Sequence, residues 1–167
     1  MRADVTLDLP TRRSTRRLGR ALGGLLEAGD VVWLEGELGA GKTFFARGLF
    51  RSLGVPVDVP VTSPTFALVH ELEGRVPIRH IDLYRIAEVS DLSELGVDEM
   101  LTEAIVVLEW GARFRSAIAE RGVELVLAIP ESAAGRTVRI RGLDARGLEI
   151  VQGLGSCLSA LTGGGVS

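Results

Sequence analysis

Residues 36–43 read Gly36-Glu37-Leu38-Gly39-Ala40-Gly41-Lys42-Thr43, which fits G-x-x-x-x-G-K-[ST]. No other segment limits the possible folds so strongly, because the pattern works only where a strand ends and a helix begins. The flanks supply both. Val31-Val32-Trp33-Leu34 is a short apolar run of strand type, and residues 44–50 carry apolar side chains at helical spacing. The three glycines let the backbone curl so that successive N–H groups converge on phosphate oxygens, and the helix N-terminus adds its positive end. In that setting Lys42 reaches the β- and γ-phosphates and the Thr43 hydroxyl serves Mg²⁺. Lys42 is also the only lysine in the chain, where every other long basic side chain is arginine. A composition that replaces lysine nearly everywhere has kept it where this loop requires it.

Upstream of the loop, Asp4 to Leu9 alternates as a strand does, and Pro10-Thr11 opens a helix expected to run to about Ala28. Within it Arg12, Arg13, Arg16, Arg17 and Arg20 fall on one side and Leu18, Leu22, Leu25 and Leu26 on the other, at about 100° per residue. The leucine side is expected to pack and the arginine side to face out. Downstream, residues 54–60 form a Gly/Pro/Val linker leading to Thr62-Ser63-Pro64-Thr65-Phe66. Two strand-like runs, 66–72 and 76–83, are separated by Glu73-Gly74-Arg75 and read as an antiparallel hairpin. Residues 91–103 have a helical pattern with Ser90 or Asp91 as its cap. Ala104-Ile105-Val106-Val107-Leu108-Glu109-Trp110 is continuously apolar rather than alternating, as in a parallel strand buried on both faces. A short helix over 112–121, strands over 123–129 and 137–141, a closing helix over 147–161 and a flexible tail over 162–167 complete the reading. The sum is an α/β fold of P-loop NTPase-like type: a three-layer sandwich whose mixed, mostly parallel sheet includes an antiparallel hairpin, in one domain over 1–161.

The length of 167 residues suits one domain with a substantial core. A net charge of −3 leaves no overall nucleic-acid footprint. Cys157 stands alone, so no internal disulfide forms, and His70 and His80, read as structural strand residues, make no zinc cluster. The first residues lack a signal-peptide core and no apolar run reaches the ~18 residues of a membrane span, so a cytoplasmic protein with no membrane partner is expected.

The order loop, Ser/Thr segment, hairpin resembles the GTPase branch of phosphate-loop proteins, in which the second hairpin strand ends in a metal-linked Asp; Asp82 occupies that position. Guanine reading through N-K-x-D is excluded, because the chain has no asparagine and no second lysine. ATP is therefore the expected nucleotide. Glu109 ends the buried run, and the carboxyl ends of parallel strands are where open α/β sheets bind ligands. Glu109 and Asp82 thus compete for the Mg²⁺ side of the site and for orienting an attacking water. Two rivals remain open. In a small-molecule kinase Asp82 activates an acceptor hydroxyl, and in a nucleotide-bound adaptor the arginine face of the first helix grips RNA. For that face a solvated surface is the commoner role.

The set GELGAGKT, TSPTF, HIDLYR and VLEW, in this order and over this length, closely resembles the TsaE (YjeE) family, covering about residues 11–136. The resemblance implies a Mg²⁺-dependent, ATP-binding, weak ATPase that associates with the TsaB–TsaD pair in threonylcarbamoylation of adenosine 37 of tRNA, with tRNA an indirect partner. Carried over by residue, it implies that Glu37, Leu38, Gly39, Ala40, Gly41, Lys42 and Thr43 hold the phosphates and that Thr43 and Glu109 hold Mg²⁺. Lys42, Asp82 and Glu109 then form the catalytic set, and Arg136 of the late Gly-Arg pair touches nucleotide. Two departures concern loop geometry rather than ligating groups: Gly111 follows Glu109-Trp110 where many relatives have proline, and Phe44 follows Thr43 where many have threonine.

Overall fold

A computed structural model of the chain describes residues 4–64 and 67–162, with side chains described as far as residue 159. Thr65 and Phe66 of the Ser/Thr segment and residues 163–167 of the expected tail lie outside the described residues. Seven strands form one sheet: β1 (Asp4–Leu9), β2 (Val31–Glu35), β3 (Val69–Glu73), β4 (Pro77–Asp82), β5 (Ile105–Glu109), β6 (Val123–Ala128) and β7 (Arg136–Gly142). Their spatial order is β1-β7-β6-β2-β5-β4-β3. The four central strands β6, β2, β5 and β4 are parallel. β3 closes one edge as the expected antiparallel hairpin, and β7 and β1 close the other, also antiparallel.

Strand alternation sends side chains to two hydrophobic layers. Val32, Leu34, Ile105 and Val107 face α1 (Arg12–Gly23), α2 (Lys42–Ser52) and α5 (Ala145–Thr162). Val31, Trp33, Val106 and Leu108 face Leu92, the short α3 (Val97–Glu103) and Phe114. Helical segments therefore cover both faces, and β5 is buried along its whole length, as its unbroken apolar run predicts.

The largest departures from the sequence expectation are in three helices; in addition β3 starts at Val69 rather than residue 66 and α5 at Ala145 rather than residue 147. The first helix stops at Gly23 instead of about Ala28: two adjacent glycines weaken it, and Arg75, 52 positions downstream, caps the Gly23 carbonyl at 2.8 Å. The expected helix over 91–103 is a 3₁₀ turn (Val89–Leu95) and then α3, separated by Gly96 in the left-handed region (φ 66°). Its cap is Glu88 rather than Ser90 or Asp91. The expected helix over 112–121 shrinks to a 3₁₀ turn (Ala112–Phe114) and α4 (Arg115–Ile118).

Candidate functional site

β2, β5 and β4 run parallel, so Glu35, Glu109 and Asp82 all end strands on one edge of the sheet. The phosphate-type loop leaves β2 at that edge and enters α2 with Gly41 in the N-cap position. Gly36 is compelled to be glycine, since a Cβ there would meet the Leu127 carbonyl oxygen at 2.5 Å and φ is +145°. Gly39 and Gly41 also have positive φ, but a Cβ on either would meet nothing within 4 Å. The loop is thus unobstructed where a side chain on either glycine would stand. Glu37 and Leu38 are exposed, and Leu38 borders the cavity that Lys42 and Thr43 line.

The Lys42 ammonium curls back over the loop. It donates to the Gly36 carbonyl and, at 3.1 Å, to the Glu37 carbonyl, and it stands 4.4 Å from the centroid of the Trp110 ring. Burial pulls its pKa below the ordinary lysine value, while Glu109, Glu35, Asp82 and Glu37 oppose that pull. Arg136, the first residue of β7, lies on the other side of the loop. Its Nε donates to the Ala40 carbonyl and its Nη2 to the Gly39 carbonyl, each at 3.1 Å. It braces the loop and borders a second cavity, of about 310 Å³, with Leu9, Thr15, Phe44 and Leu127.

Asp82 and Glu109 are cross-strand neighbours in the β4–β5 register, and both are buried. Asp82 is held twice: Oδ2 accepts from the Ser63 hydroxyl at 2.7 Å and Oδ1 from the Tyr84 amide at 2.9 Å. Glu109 accepts from Nε2 of His80 at 2.9 Å. Lys42, Thr43, Ser63, Asp82 and Glu109 line one cavity of about 380 Å³, walled by Trp110. The adjacent Lys42 and Thr43 are therefore brought together with the distant Asp82 and Glu109, and Arg136 reaches them only through the loop. Trp110 sits at the surface of this cavity against Tyr84, with ring centroids 4.9 Å apart, rather than in the core.

Two residues escaped the sequence reading. Glu35 Oε1 accepts the amides of Gly111 at 2.9 Å and Ala112 at 2.8 Å, pinning the turn after Trp110, whose own φ is +59°. Burial, the largest influence, raises the Glu35 pKa against the two amides and Arg115. His80, expected as a structural strand residue, touches Glu109 directly. Spacing holds no signal for either, because each partner is supplied by another strand or loop.

Among the described residues, no three His, Cys, Asp or Glu side chains gather as a metal cage, and no helix is long and apolar enough to cross a membrane. The profile described as "Threonylcarbamoyl adenosine biosynthesis protein TsaE" matches residues 9–148, which span every site residue above. The chain belongs to the TsaE family. Two relatives named tRNA threonylcarbamoyladenosine biosynthesis protein TsaE illustrate the match. The Treponema pallidum (strain Nichols) TsaE is 40% identical over 118 residues, 70% of this chain and 86% of its own length. The Mycobacterium bovis TsaE is 39% identical over 132 residues, 73% of this chain and 77% of its own. The crystal structure of Bacillus subtilis YdiB shares the fold, with a TM-score of 0.80 over 93% of this chain and 97% of that one, at 23% identity. The TsaE architecture here is the P-loop NTPase-like α/β sandwich expected from the sequence.

Proposed function

We propose that this chain binds Mg·ATP and hydrolyses it slowly, assisting a TsaB–TsaD pair in threonylcarbamoylation of adenosine 37 of tRNA. The observation that carries the reading is the convergence of Lys42 and Thr43 with Asp82 and Glu109 on one cavity at the ends of β2, β4 and β5. The residues fit the group. Nothing stands within 4 Å of where a side chain on Gly39 or Gly41 would sit, and a glycine loop at a helix N-terminus is the arrangement in which backbone amides receive phosphate oxygens. A hydroxyl and carboxylates are the hard oxygen donors Mg²⁺ takes, and Mg²⁺ bound alongside phosphates needs only one or two carboxylates rather than a cage.

In this reading Lys42 leaves the Gly36 and Glu37 carbonyls for the β- and γ-phosphates, a change its three rotatable donors allow. Thr43 and Glu109 hold Mg²⁺, which neutralises charge on the phosphates when bound. Asp82, its carboxylate fixed by Ser63 and the Tyr84 amide, orients the attacking water. Arg136 keeps the loop in shape by binding its carbonyls. No arginine among the residues lining the cavity serves as a charge-stabilising finger, so slow turnover by the isolated chain follows.

Reconstitution of tRNA modification with TsaB and TsaD proteins, with and without this chain and ATP, tests the proposal, with ADP release measured in parallel. The expected result is modification that requires the chain and Mg·ATP, and hydrolysis that is slow alone and faster with the partners. Modification indifferent to the chain, or fast hydrolysis without partners, overturns it.

A further inference from the structure

His80 occupies a place that packing alone fills poorly with a polar ring. It points to the face of β4 covered by α2, is fully buried, and meets the Phe50 ring at 5.1 Å between centroids in an edge-on arrangement. An aliphatic side chain there avoids the cost of desolvating an imidazole. Among the described residues its only hydrogen bond runs from Nε2 to Oε1 of Glu109 at 2.9 Å, and Nδ1 has no partner. The bond is also diagonal. In the register His80 stands opposite Val107, and the residue opposite Glu109 is the like-charged Asp82. Glu109 therefore leans back along β4 towards His80.

We propose that His80 is a positioning residue for Glu109, which turns one carboxylate oxygen away from the cavity and leaves the other as a single, oriented metal-side donor. The proposal rests on the reading of Glu109 as a Mg²⁺-side ligand. The terminal torsion of a free glutamate is broad, so an unheld carboxylate samples many orientations beside Asp82. A buried N–H donor removes that freedom, as outer partners of metal ligands do generally. It also takes up one oxygen, which suits an ion that prefers near-ideal octahedral geometry with few carboxylates. His80 itself touches neither nucleotide nor metal in this arrangement.

The test uses the full chain with His80→Leu, which removes the donor, and His80→Gln, whose amide nitrogen reaches about as far as Nε2. Three quantities are read: thermal stability without nucleotide, ATP affinity in EDTA, and Mn²⁺ affinity in the presence of a non-hydrolysable ATP analogue, followed by electron paramagnetic resonance. The expected result is that His80→Leu folds, binds ATP in EDTA as the natural chain does, and loses about 10–100-fold in Mn²⁺ affinity. His80→Gln is expected to recover most of that loss. Unchanged Mn²⁺ affinity in His80→Leu, an equal loss of ATP binding in EDTA, or no recovery in His80→Gln overturns the proposal. Failure of the leucine variant to fold assigns His80 to the core and overturns it as well. If the natural chain shows no metal dependence in nucleotide binding, the functional reading fails together with this one, whereas the variant outcomes bear on His80 alone.

Discussion

The Lys42 ammonium lies between two loop carbonyls and an indole face. A guanidinium keeps the charge but is broad and planar, and cannot turn compact donors between β- and γ-oxygens. Lys42→Arg is therefore expected to melt, without nucleotide, near the natural temperature while losing ATP affinity and support of tRNA modification as Lys42→Ala does. Activity close to the natural level would mean the lone lysine carries no special role. Glu35 makes a prediction about pH. Its folded pKa is raised above the usual glutamate value by burial, so the folded state holds this proton more tightly than the unfolded chain. The contribution to stability is complete below the unfolded pKa, about 4.3–4.5, and is lost as pH rises through the folded value. Glu35→Gln keeps an acceptor for the Gly111 and Ala112 amides and removes the charge. Denaturant midpoints should show the variant gaining on the natural chain as pH rises above the unfolded glutamate pKa; a variant that loses ground as pH rises contradicts the assignment.

At the scale of elements, the decisive contact is α1 against α2. A Cβ on Gly19 would lie 2.9 Å from the Leu49 amide nitrogen and 3.2 Å from the Gly48 carbonyl carbon, so the two helices meet backbone to backbone. Because α2 begins at Lys42, any shift of this pair moves the loop that precedes it. Gly19→Ala gains about 1 kcal/mol of helix propensity but forces the helices apart, at a cost of about 1–3 kcal/mol. A lower melting temperature and weaker nucleotide binding are expected from thermal denaturation and titration; a stabilised variant would show that the helices separate freely. The same helix shows what periodicity can and cannot reveal. Arg12, Arg13, Arg16, Arg17 and Arg20 are exposed and Leu18 and Leu22 are buried, as their spacing demands, whereas Leu26 is buried beyond the end of the helix. Two of those arginines, Arg12 and Arg16, also lie over the Phe44 ring of α2, at 5.7 and 5.4 Å from its centroid, a contact that α1 by itself cannot foretell.

At the scale of the molecule, four parallel strands bring the ends of β2, β4 and β5 to one edge, and two antiparallel additions close the sheet on either side. Strand identity, the hairpin, the loop and its lysine, and the acidic strand ends Asp82 and Glu109 are determined by local pattern. Each depends on residues within a few positions of one another, where alternation, glycine freedom and apolar runs act directly. Only the tertiary structure decided which carboxylate meets which donor. His80 reaches Glu109 across 29 residues, Glu35 reaches the Gly111 amide across 76, and Arg136 reaches the Ala40 carbonyl across 96. Such pairings follow from strand order and register, which depend on how the whole apolar pattern buries itself at once and leave no trace in the spacing of any one segment.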